Sequence, residues 1–430
     1  MSRERVLLST SLTAGADAVP RVVAGEGVWF ELANGRRVID ASNTAAPLGH
    51  GHPAIVEAVR SAADAPVVNE GWGWSPREEA AAELIQTAFL DEDWVGAVRF
   101  FISAGEANDA ALTLCQALTG RAPVATRQRA YHGGVGLARE MTTQPHWHGG
   151  LSSVGGSVSA PPRLATVGEV ESPVSARGMG TPTESGPDWE TKTRAVLAES
   201  AAVLLDYSQG GVYHQPQFQD RVAALAREAG SYWIADETVT GFGRVGGWFQ
   251  FQHANSRPDI VTMGKCLAAG GAAAGAMVIS KDILDRLDGL SWQTYSTFRG
   301  HPVEVASIKA HVEVSEREGL TERASEFDGI LLDQLAEIAS RHPSVRRVDG
   351  RGLHWTVELA GPNWTEWRGQ EAEPLASRVA AAALAEGALF ATSGEQTSIF
   401  VAPPLIISEG EMDQVLHALD VALTVSDSEV

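Results

Sequence analysis

The sequence is short of cysteine, of positive charge and of long apolar runs. Its 430 residues include only two cysteines, which is too few for a disulfide framework or a structural zinc site. The formal net charge is −21 and no basic run offsets it, so we expect no nucleic-acid partner. The most apolar stretch, residues 266–279, is short and broken by glycine, so we expect no membrane span. These absences favour a globular protein of the cytoplasm.

Lysine is also scarce, because the chain has 29 arginines and only four lysines. One of them, Lys265, follows the strand-like run 259–263 and precedes a segment rich in glycine and alanine. A lysine amine can lose its proton and condense with an aldehyde, whereas an arginine guanidinium stays protonated. Most lysines are solvated surface residues, so Lys265 alone indicates little.

A second candidate lies 29 residues upstream, where the apolar run 232–236 ends in Asp236 and Glu237 before a glycine-rich loop. Ligands of α/β proteins bind at the carboxyl ends of parallel strands. Asp236 could instead cap a turn. A lysine and a strand-end aspartate together suit pyridoxal 5′-phosphate (PLP): the lysine forms a Schiff base and the carboxylate holds the proton of the ring nitrogen.

Apolar runs of strand length alternate with helical segments over most of the chain, which favours a largely parallel sheet covered on both faces. Segment 142–189 is predicted to be mainly loop with one strand in it. The predicted strands are at 22–24, 28–32, 38–39, 98–102, 123–126, 163–167, 201–206, 232–236, 259–263, 274–280, 345–348, 354–359 and 398–401. Two helices are predicted to begin near residues 53 and 103. The other predicted helices span 76–89, with Ser75 as the cap, 216–229, 303–340, 374–386 and 408–424.

Three parts of the chain differ in this pattern. Residues 1–52 contain a hairpin that is predicted to join the C-terminal part. Residues 53–302 alternate strand and helix, and residues 303–430 read as a smaller α+β domain.

His50 and His52 lie in a glycine-rich turn without acidic or cysteine neighbours, so we predict no metal site there.

Three short motifs suit the parts of PLP, although each is weak alone. Ala104 and Gly105 lie at a predicted strand-to-helix turn, where backbone N–H groups can bind a phosphate. Tyr131, followed by His132, offers an aromatic ring that could stack on a flat cofactor or pack in the core. Thr297 offers a hydroxyl just before a predicted helix.

Read in order, these motifs resemble the class III, or omega, aminotransferases of the fold-type I PLP-dependent enzymes, over residues 20–424. The matching segments are 106–107, 131–133, 236–244, 258–265, 297–302, 349–353 and 403–405. The resemblance implies a large domain with a mostly parallel seven-stranded sheet and a smaller α+β domain. It also implies a homodimer with the active site at the subunit interface.

The resemblance implies a role for each motif residue. Lys265 would hold PLP as a Schiff base and move a proton, and Asp236 would pair with the ring nitrogen. Tyr131, beside His132, would stack on the ring, with Thr238 against the opposite face. Ala104 and Gly105 would bind the phosphate, together with Thr297 from the other subunit.

Two departures from the family pattern bear on the substrate. The family often has an arginine before Pro-Pro-Leu that binds a substrate carboxylate, and this chain has Phe400 there. Asp206 replaces the glutamate that pairs with that arginine in some members. Trp72 and Trp74 fall where relatives line the substrate entrance with aromatic residues, although core packing explains them equally well.

We therefore predict an aminotransferase with a ping-pong mechanism, acting on a small-molecule amino donor and a carbonyl acceptor. The reacting centre of the substrate would carry no α-carboxylate, as in an amine, an amino sugar or an ω-amino group. A PLP-dependent isomerase, such as an aminomutase or an amino-acid racemase, would share every motif. A catalytically silent binding protein is a third reading, and the presence of Lys265 and Asp236 argues against it.

Overall fold

Three β-sheets and the helices packed on them form the part of the chain that the computed structural model describes, residues 20–144, 147, 161–208, 211–360 and 374–430. Within these ranges no helix is long and apolar enough to cross a membrane. The strands are β1 Val22–Glu26, β2 Trp29–Leu32, β3 Arg37–Asp40, β4 Val95–Phe101, β5 Val124–Arg127, β6 Val167–Val170, β7 Ala202–Asp206, β8 Tyr232–Asp236, β9 Ile260–Met263, β10 Gly275–Ser280, β11 Val345–Arg351, β12 His354–Leu359, β13 Ala388–Leu389, β14 Ala391–Thr392 and β15 Ser398–Val401. The α-helices are α1 Pro53–Ala62, α2 Ser75–Ala88, α3 Ala104–Thr119, α4 Gly136–Met141, α5 Trp189–Glu199, α6 Pro216–Ala229, α7 Lys281–Arg286, α8 Pro302–Arg317, α9 Leu320–Arg341, α10 Leu375–Ala385 and α11 Glu409–Asp427.

The largest sheet has seven strands in the order β4-β10-β9-β8-β7-β5-β6. Strand β10 runs antiparallel to both neighbours, β9 and β4, and the remaining pairs are parallel. This confirms the predicted α/β fold with a mostly parallel seven-stranded sheet. Parallel strands need crossover connections, and the helices between them cover the two faces of the sheet.

Both faces of the central part of this sheet are buried, which explains why its central strands are mostly apolar. In β7, Val203 and Leu205 belong to one hydrophobic cluster, whereas Leu204 belongs to the cluster on the other face. Side chains alternate between faces along a strand, so each strand contributes to both clusters. A run of apolar residues therefore predicts both the strand and its burial between two layers of helices.

Two smaller sheets involve the chain ends. The N-terminal strands form the order β1-β2-β3-β13, in which β3 pairs in parallel with the C-terminal strand β13. The other sheet has the order β11-β12-β15-β14. The hairpin thus pairs with a C-terminal strand, while its membership of a small domain and the division of the chain at residues 52 and 302 stay predictions. Residues 1–19 of the first predicted part lie outside the described residues.

Several predicted boundaries are correct and others are wrong. Helix α6 runs from Pro216 to Ala229 and ends at Gly230, whose φ is 63°, as its proline start and glycine stop indicate. The predicted helix 303–340 is two helices, separated at Gly319 with a φ of 60°. Trp74, and not Ser75, is the N-cap of α2, and its side chain makes no capping bond.

The strand predicted at 163–167 begins later, at Val167, where it pairs with β5. The first residues of the predicted strand contact another part of the chain instead. The N–H of Leu164 donates a hydrogen bond of 2.9 Å to Glu140 Oε2. A backbone N–H group that donates to a side chain cannot also donate to a neighbouring strand. Part of the long predicted loop, residues 145, 146 and 148–160, lies outside the described residues.

Candidate active site

A cleft of about 370 Å³ opens at the carboxyl edge of the seven-stranded sheet, between the end of β8, the turn after β9 and the N-terminus of α3. This is the edge at which α/β folds bind ligands. Its lining brings together seven of the sequence-predicted site residues, which are Ala104, Gly105, Tyr131, His132, Asp236, Thr238 and Lys265. The other lining residues are mostly small and apolar, as in the segment Ala272–Ala274.

Lys265 begins a short 3-10 turn directly after β9 and Gly264. Its φ is 37°, a left-handed value that costs energy in a residue with a side chain and that often occurs at functional sites. The side chain lies deep among protein atoms but faces the open cleft, so solvent reaches it. Burial lowers the pKa of its amine, and the carboxylate of Asp236 opposes this only in part. A larger share of neutral amine makes Lys265 a better nucleophile and base.

The carboxylate of Asp236 is buried and is held on both oxygens. Oδ2 lies 2.7 Å from His132 Nδ1 and accepts a hydrogen bond of 2.9 Å from the Asn108 side chain. Oδ1 accepts a bond of 3.0 Å from the backbone N–H of Thr238. The other ring nitrogen of His132 lies 3.0 Å from Thr126 Oγ1, so the imidazole is fixed from both sides.

These contacts decide the charge of Asp236. Burial by itself would raise the pKa of this carboxyl group. The hydrogen bond and charge of His132 and the bond from Thr238 outweigh burial, so the pKa lies below its ordinary value. Asp236 therefore carries a negative charge in the interior of the protein, where it can pair with a cationic ring nitrogen.

The N-terminus of α3 points its first backbone N–H groups at the cleft. Ser103 is the N-cap and its hydroxyl accepts a bond of 3.2 Å from Glu106 N. The N–H groups of Ala104 and Gly105 belong to the first turn, where α-helices leave donors without intrahelical partners. Glu106 is paired with Arg299 at 2.8 Å, so its carboxylate is neutralised. Such a turn suits an anion such as a phosphate.

The remaining lining side chains offer surfaces for a flat ring. Tyr131 is half-buried, and its ring centroid lies 5.8 Å from that of Trp147 in an edge-on arrangement. Burial, and secondarily the charge of Asp236, raises the pKa of Tyr131, so its hydroxyl stays protonated. The Oγ1 atom of Thr238 is buried and has no hydrogen-bond partner within the described chain. A buried polar atom without a partner is costly unless a ligand supplies one.

Four predicted site residues do not line this cleft. Trp72 and Thr297 are exposed, and Trp74 begins α2 with the guanidinium of Arg77 5.7 Å from its ring centroid. Phe400 lies in β15 with its ring 5.8 Å from that of His354. The structure thus gathers the residues predicted to hold the cofactor, whereas the substrate contacts and the contribution of Thr297 from a partner stay predictions.

Sequence reasoning missed the buried polar residues behind the cleft. Asn108 joins Asp236 to the backbone carbonyl of His132 and accepts a bond from the Thr262 hydroxyl. An asparagine within an alanine-rich apolar helix was the available signal, because buried amides need several partners. The buried ion pair between Arg127 and Asp206 was also missed.

Comparisons with known proteins agree with this geometry. The model of the family described as aminotransferase class-III matches residues 14–423. The chain belongs to this family.

Similar members have been characterised by sequence and by structure. Acetylornithine aminotransferase 1 of Bordetella pertussis is 31% identical over 409 residues, and the match covers 92% of each chain. The crystal structure of an S-selective transaminase from Arthrobacter sp. superposes with a TM-score of 0.88 at 28% identity and covers 95% of this chain and 94% of its own. The taurine:2-oxoglutarate aminotransferase of Bifidobacterium kashiwanohense, solved with PLP and glutamate, has a TM-score of 0.83 at 25% identity and covers 99% and 96%.

The residues of the cleft fit the cofactor of class III aminotransferases, PLP. The molecule has an aldehyde, a basic ring nitrogen and a phosphate. The cleft offers an amine in Lys265, an ionised carboxylate in Asp236 and the helix N-terminus at Ala104 and Gly105. The unpartnered hydroxyl of Thr238 is a further polar group available to a ligand. The chain is a PLP-dependent class III aminotransferase.

Proposed function

We propose that this aminotransferase acts on substrates whose reacting carbon bears no carboxylate, such as amines, amino sugars or ω-amino groups. The observation that carries this proposal is the lining of the cleft. Lys265 is the only lysine or arginine among its described lining residues, and its neighbours are small and apolar. A carboxylate beside the reacting carbon would find no guanidinium to bind, and burying it unpaired would be costly. Phe400, which stands at the position of the family arginine, is apolar and does not line the cleft.

Each residue of the cleft has a role in this proposal. PLP, when bound, supplies a conjugated ring that accepts the electron pair released from the substrate carbon. Nζ of Lys265 binds the cofactor, and it later holds the proton that leaves the reacting carbon. Asp236 keeps the ring nitrogen protonated, and the first turn of α3 binds the phosphate. Tyr131 and Thr238 confine the ring from its two sides.

The electrostatics of the cleft support these roles. The lowered pKa of Lys265 favours the neutral amine that a proton acceptor must be. The lowered pKa of Asp236 keeps the negative charge that stabilises a protonated ring nitrogen. The lowered pKa values favour the neutral form of Lys265 and the charged form of Asp236. One group can therefore act as a base while the other stays ionised.

We further propose a homodimer in which Thr297 of one subunit reaches the phosphate site of the other. Around Thr297 the exposed surface is apolar: Trp72 is 75% exposed, Tyr295 57% and Phe298 56%. Two segments carry these side chains and are joined by a bond of 2.7 Å from Asn69 Nδ2 to the Tyr295 hydroxyl. Large exposed apolar groups that lie close together indicate a protein interface.

We propose the cytoplasm as the location of the enzyme. Its two cysteines, Cys115 and Cys266, are buried and unpaired. Proteins of reducing compartments keep their thiols in this form.

The variant Lys265→Ala tests the proposed role of Lys265. We expect it to lose the visible absorption of lysine-bound PLP, roughly 400 nm, together with turnover, because alanine has no amine. Lys281→Ala is the matched control, since Lys281 lies at the start of α7 and its amine bonds the Asp93 carbonyl. Wild-type turnover in Lys265→Ala would refute the role.

A further inference from the structure

A second and larger cavity, of about 530 Å³, lies at the same edge of the seven-stranded sheet and shares no lining residue with the PLP cleft. One wall follows the carboxyl ends of β5 and β6, with Gln128, Arg129 and Ser172. The facing wall is formed by β11 and β12. The cavity therefore occupies a position where α/β folds bind ligands, and its volume suits a small metabolite.

The charged side chains of this cavity are mostly positive, in a chain whose net charge is −21. Three arginines and one glutamate line it, so the positive charges exceed the negative by two. Arg347 is buried and its guanidinium already has partners within the protein. It donates hydrogen bonds of 2.7 Å to Glu358 and 2.8 Å to the Gly211 carbonyl. The guanidinium groups of Arg129 and Arg346 have no hydrogen-bond or ion-pair partner among the described residues.

The backbone around these two arginines is held in place. Arg129 has a φ of 55°, and its carbonyl accepts a bond of 2.8 Å from the Gln144 side chain. A left-handed residue with a long side chain is strained, and such strain is found where a side chain must point in a defined direction. On the other wall, Gly180 approaches β11 so closely that a Cβ there would lie 2.8 Å from the Arg346 carbonyl oxygen.

Hydroxyl groups complete the polar lining. Ser172, Thr181 and Thr183 contribute side chains from the loop after β6. The loop is closed on itself, because Val174 and Thr183 exchange bonds of 2.8 and 2.9 Å. Guanidinium and hydroxyl donors on a preformed wall are the groups that bind phosphate and carboxylate oxygens.

We propose that this cavity is a binding site for a small anionic molecule, whose phosphate or carboxylate head group pairs with Arg129 and Arg346. Arg347 positions the wall through Glu358 and keeps that carboxylate from repelling the ligand. The site is separate from the PLP cleft, although Arg129 lies only two residues before Tyr131. The proposal does not depend on the substrate of the aminotransferase.

Isothermal titration calorimetry on the PLP-saturated enzyme tests the site, with inorganic phosphate and succinate as separate probes at constant ionic strength. We expect one of the probes to bind with one site per chain while the absorption of the cofactor stays unchanged. The probe that binds more tightly shows whether the head group of the ligand is a phosphate or a carboxylate. Arg346→Gln and Arg129→Asn should each weaken it about tenfold or more, because a hydrogen bond to a charged group is lost.

Arg60→Gln removes the same charge from the exposed face of α1 and serves as the control. We expect it to leave the affinity unchanged. Asparagine tolerates the left-handed backbone of position 129, so Arg129→Asn should fold. The proposal is overturned if neither probe binds, if binding displaces the cofactor, or if Arg60→Gln weakens binding as much as the cavity variants do. Wild-type affinity in both cavity variants would overturn it as well.

Discussion

At the scale of single residues, the cleft sets two neighbouring groups to opposite tasks. Burial lowers the pKa of Lys265, whereas the hydrogen bonds and the charge of His132 outweigh burial and lower the pKa of Asp236. The difference lies in their partners, because Asp236 has three nearby donors while Lys265 faces the open cleft. The reactive amine and the fixed charge thus follow from local hydrogen bonding.

Asp236→Asn is predicted to lower kcat by about 100-fold or more, because a neutral amide cannot hold a proton on the ring nitrogen. Asp333→Asn, an exposed change on α9, should leave kcat unaltered. Steady-state kinetics at saturating PLP measure both variants. A kcat within a factor of about two of the wild-type value in Asp236→Asn would contradict the assigned role.

At the scale of elements, the predictable boundaries were those with local signals. Pro216 and Gly230 delimit α6 because proline suits the first turn of a helix and glycine the residue after its end. Ser408 and Glu411 form a capping box at the start of α11, close to the predicted start of that helix. Gly319 was overlooked because strong helix formers flank it, and a single glycine within a helical pattern is often tolerated.

Features set by pairing between distant segments could not be predicted in this way. Strands β13 and β14 have two residues each and exist only because β3 and β15 lie beside them. In the cleft, Asp236 was predictable because it ends a recognisable strand, and Lys265 because it follows one. The role of Asn108 was not, because it depends on a contact with a residue 128 positions away.

The start of α8 contains a carboxyl group that should make stability depend on pH. Burial raises the pKa of Glu304 to about 8, although a hydrogen bond from the His301 N–H opposes the effect. Oε1 of Glu304 has no hydrogen-bond donor in the part of the chain described. The folded protein therefore keeps a proton that the unfolded chain releases above the ordinary pKa of 4.5. Stability from this group is complete below that value and is lost as the pH rises to about 8.

Glu304→Gln should remove this contribution, since glutamine resembles the neutral carboxyl group and does not titrate. We expect the free energy of unfolding to fall less steeply between these pH values, by up to about 1.4 kcal/mol per pH unit. Urea unfolding at several pH values measures the slope. The exposed Glu78→Gln in α2 is the control. Equal slopes for Glu304→Gln and wild type would show that Glu304 is ionised in the fold.

At the scale of the whole molecule, the exposed apolar surface around Thr297 would link assembly to cofactor binding in the proposed dimer. The segments that carry Trp72 and Phe298 are tied to the large sheet through Glu70, which accepts bonds from Arg99 and from the Ser296 N–H. The proposed interface is thus anchored to strand β4 of the large sheet. A dimer would cover these side chains and complete the phosphate site.

Phe298→Glu is predicted to give monomers and to weaken PLP binding about tenfold or more, because a buried charge disfavours the interface and Thr297 is withdrawn from the partner. Leu90→Glu, at a residue that is 75% exposed, is the matched control and should remain a dimer. Analytical ultracentrifugation and PLP titration give the two readouts. A Phe298→Glu dimer with wild-type PLP affinity would place the interface elsewhere.

The most direct test of aminotransferase chemistry is a half-reaction, in which the PLP-loaded enzyme meets a single donor from a panel of amines and ω-amino acids without any carbonyl acceptor. We predict that one donor class bleaches the cofactor absorption, releases one equivalent of carbonyl product per chain and stops until an acceptor restores the spectrum. An isomerase would instead convert many equivalents of donor to an isomer without carbonyl product. That result, or a spectrum unchanged by every donor, would contradict the account.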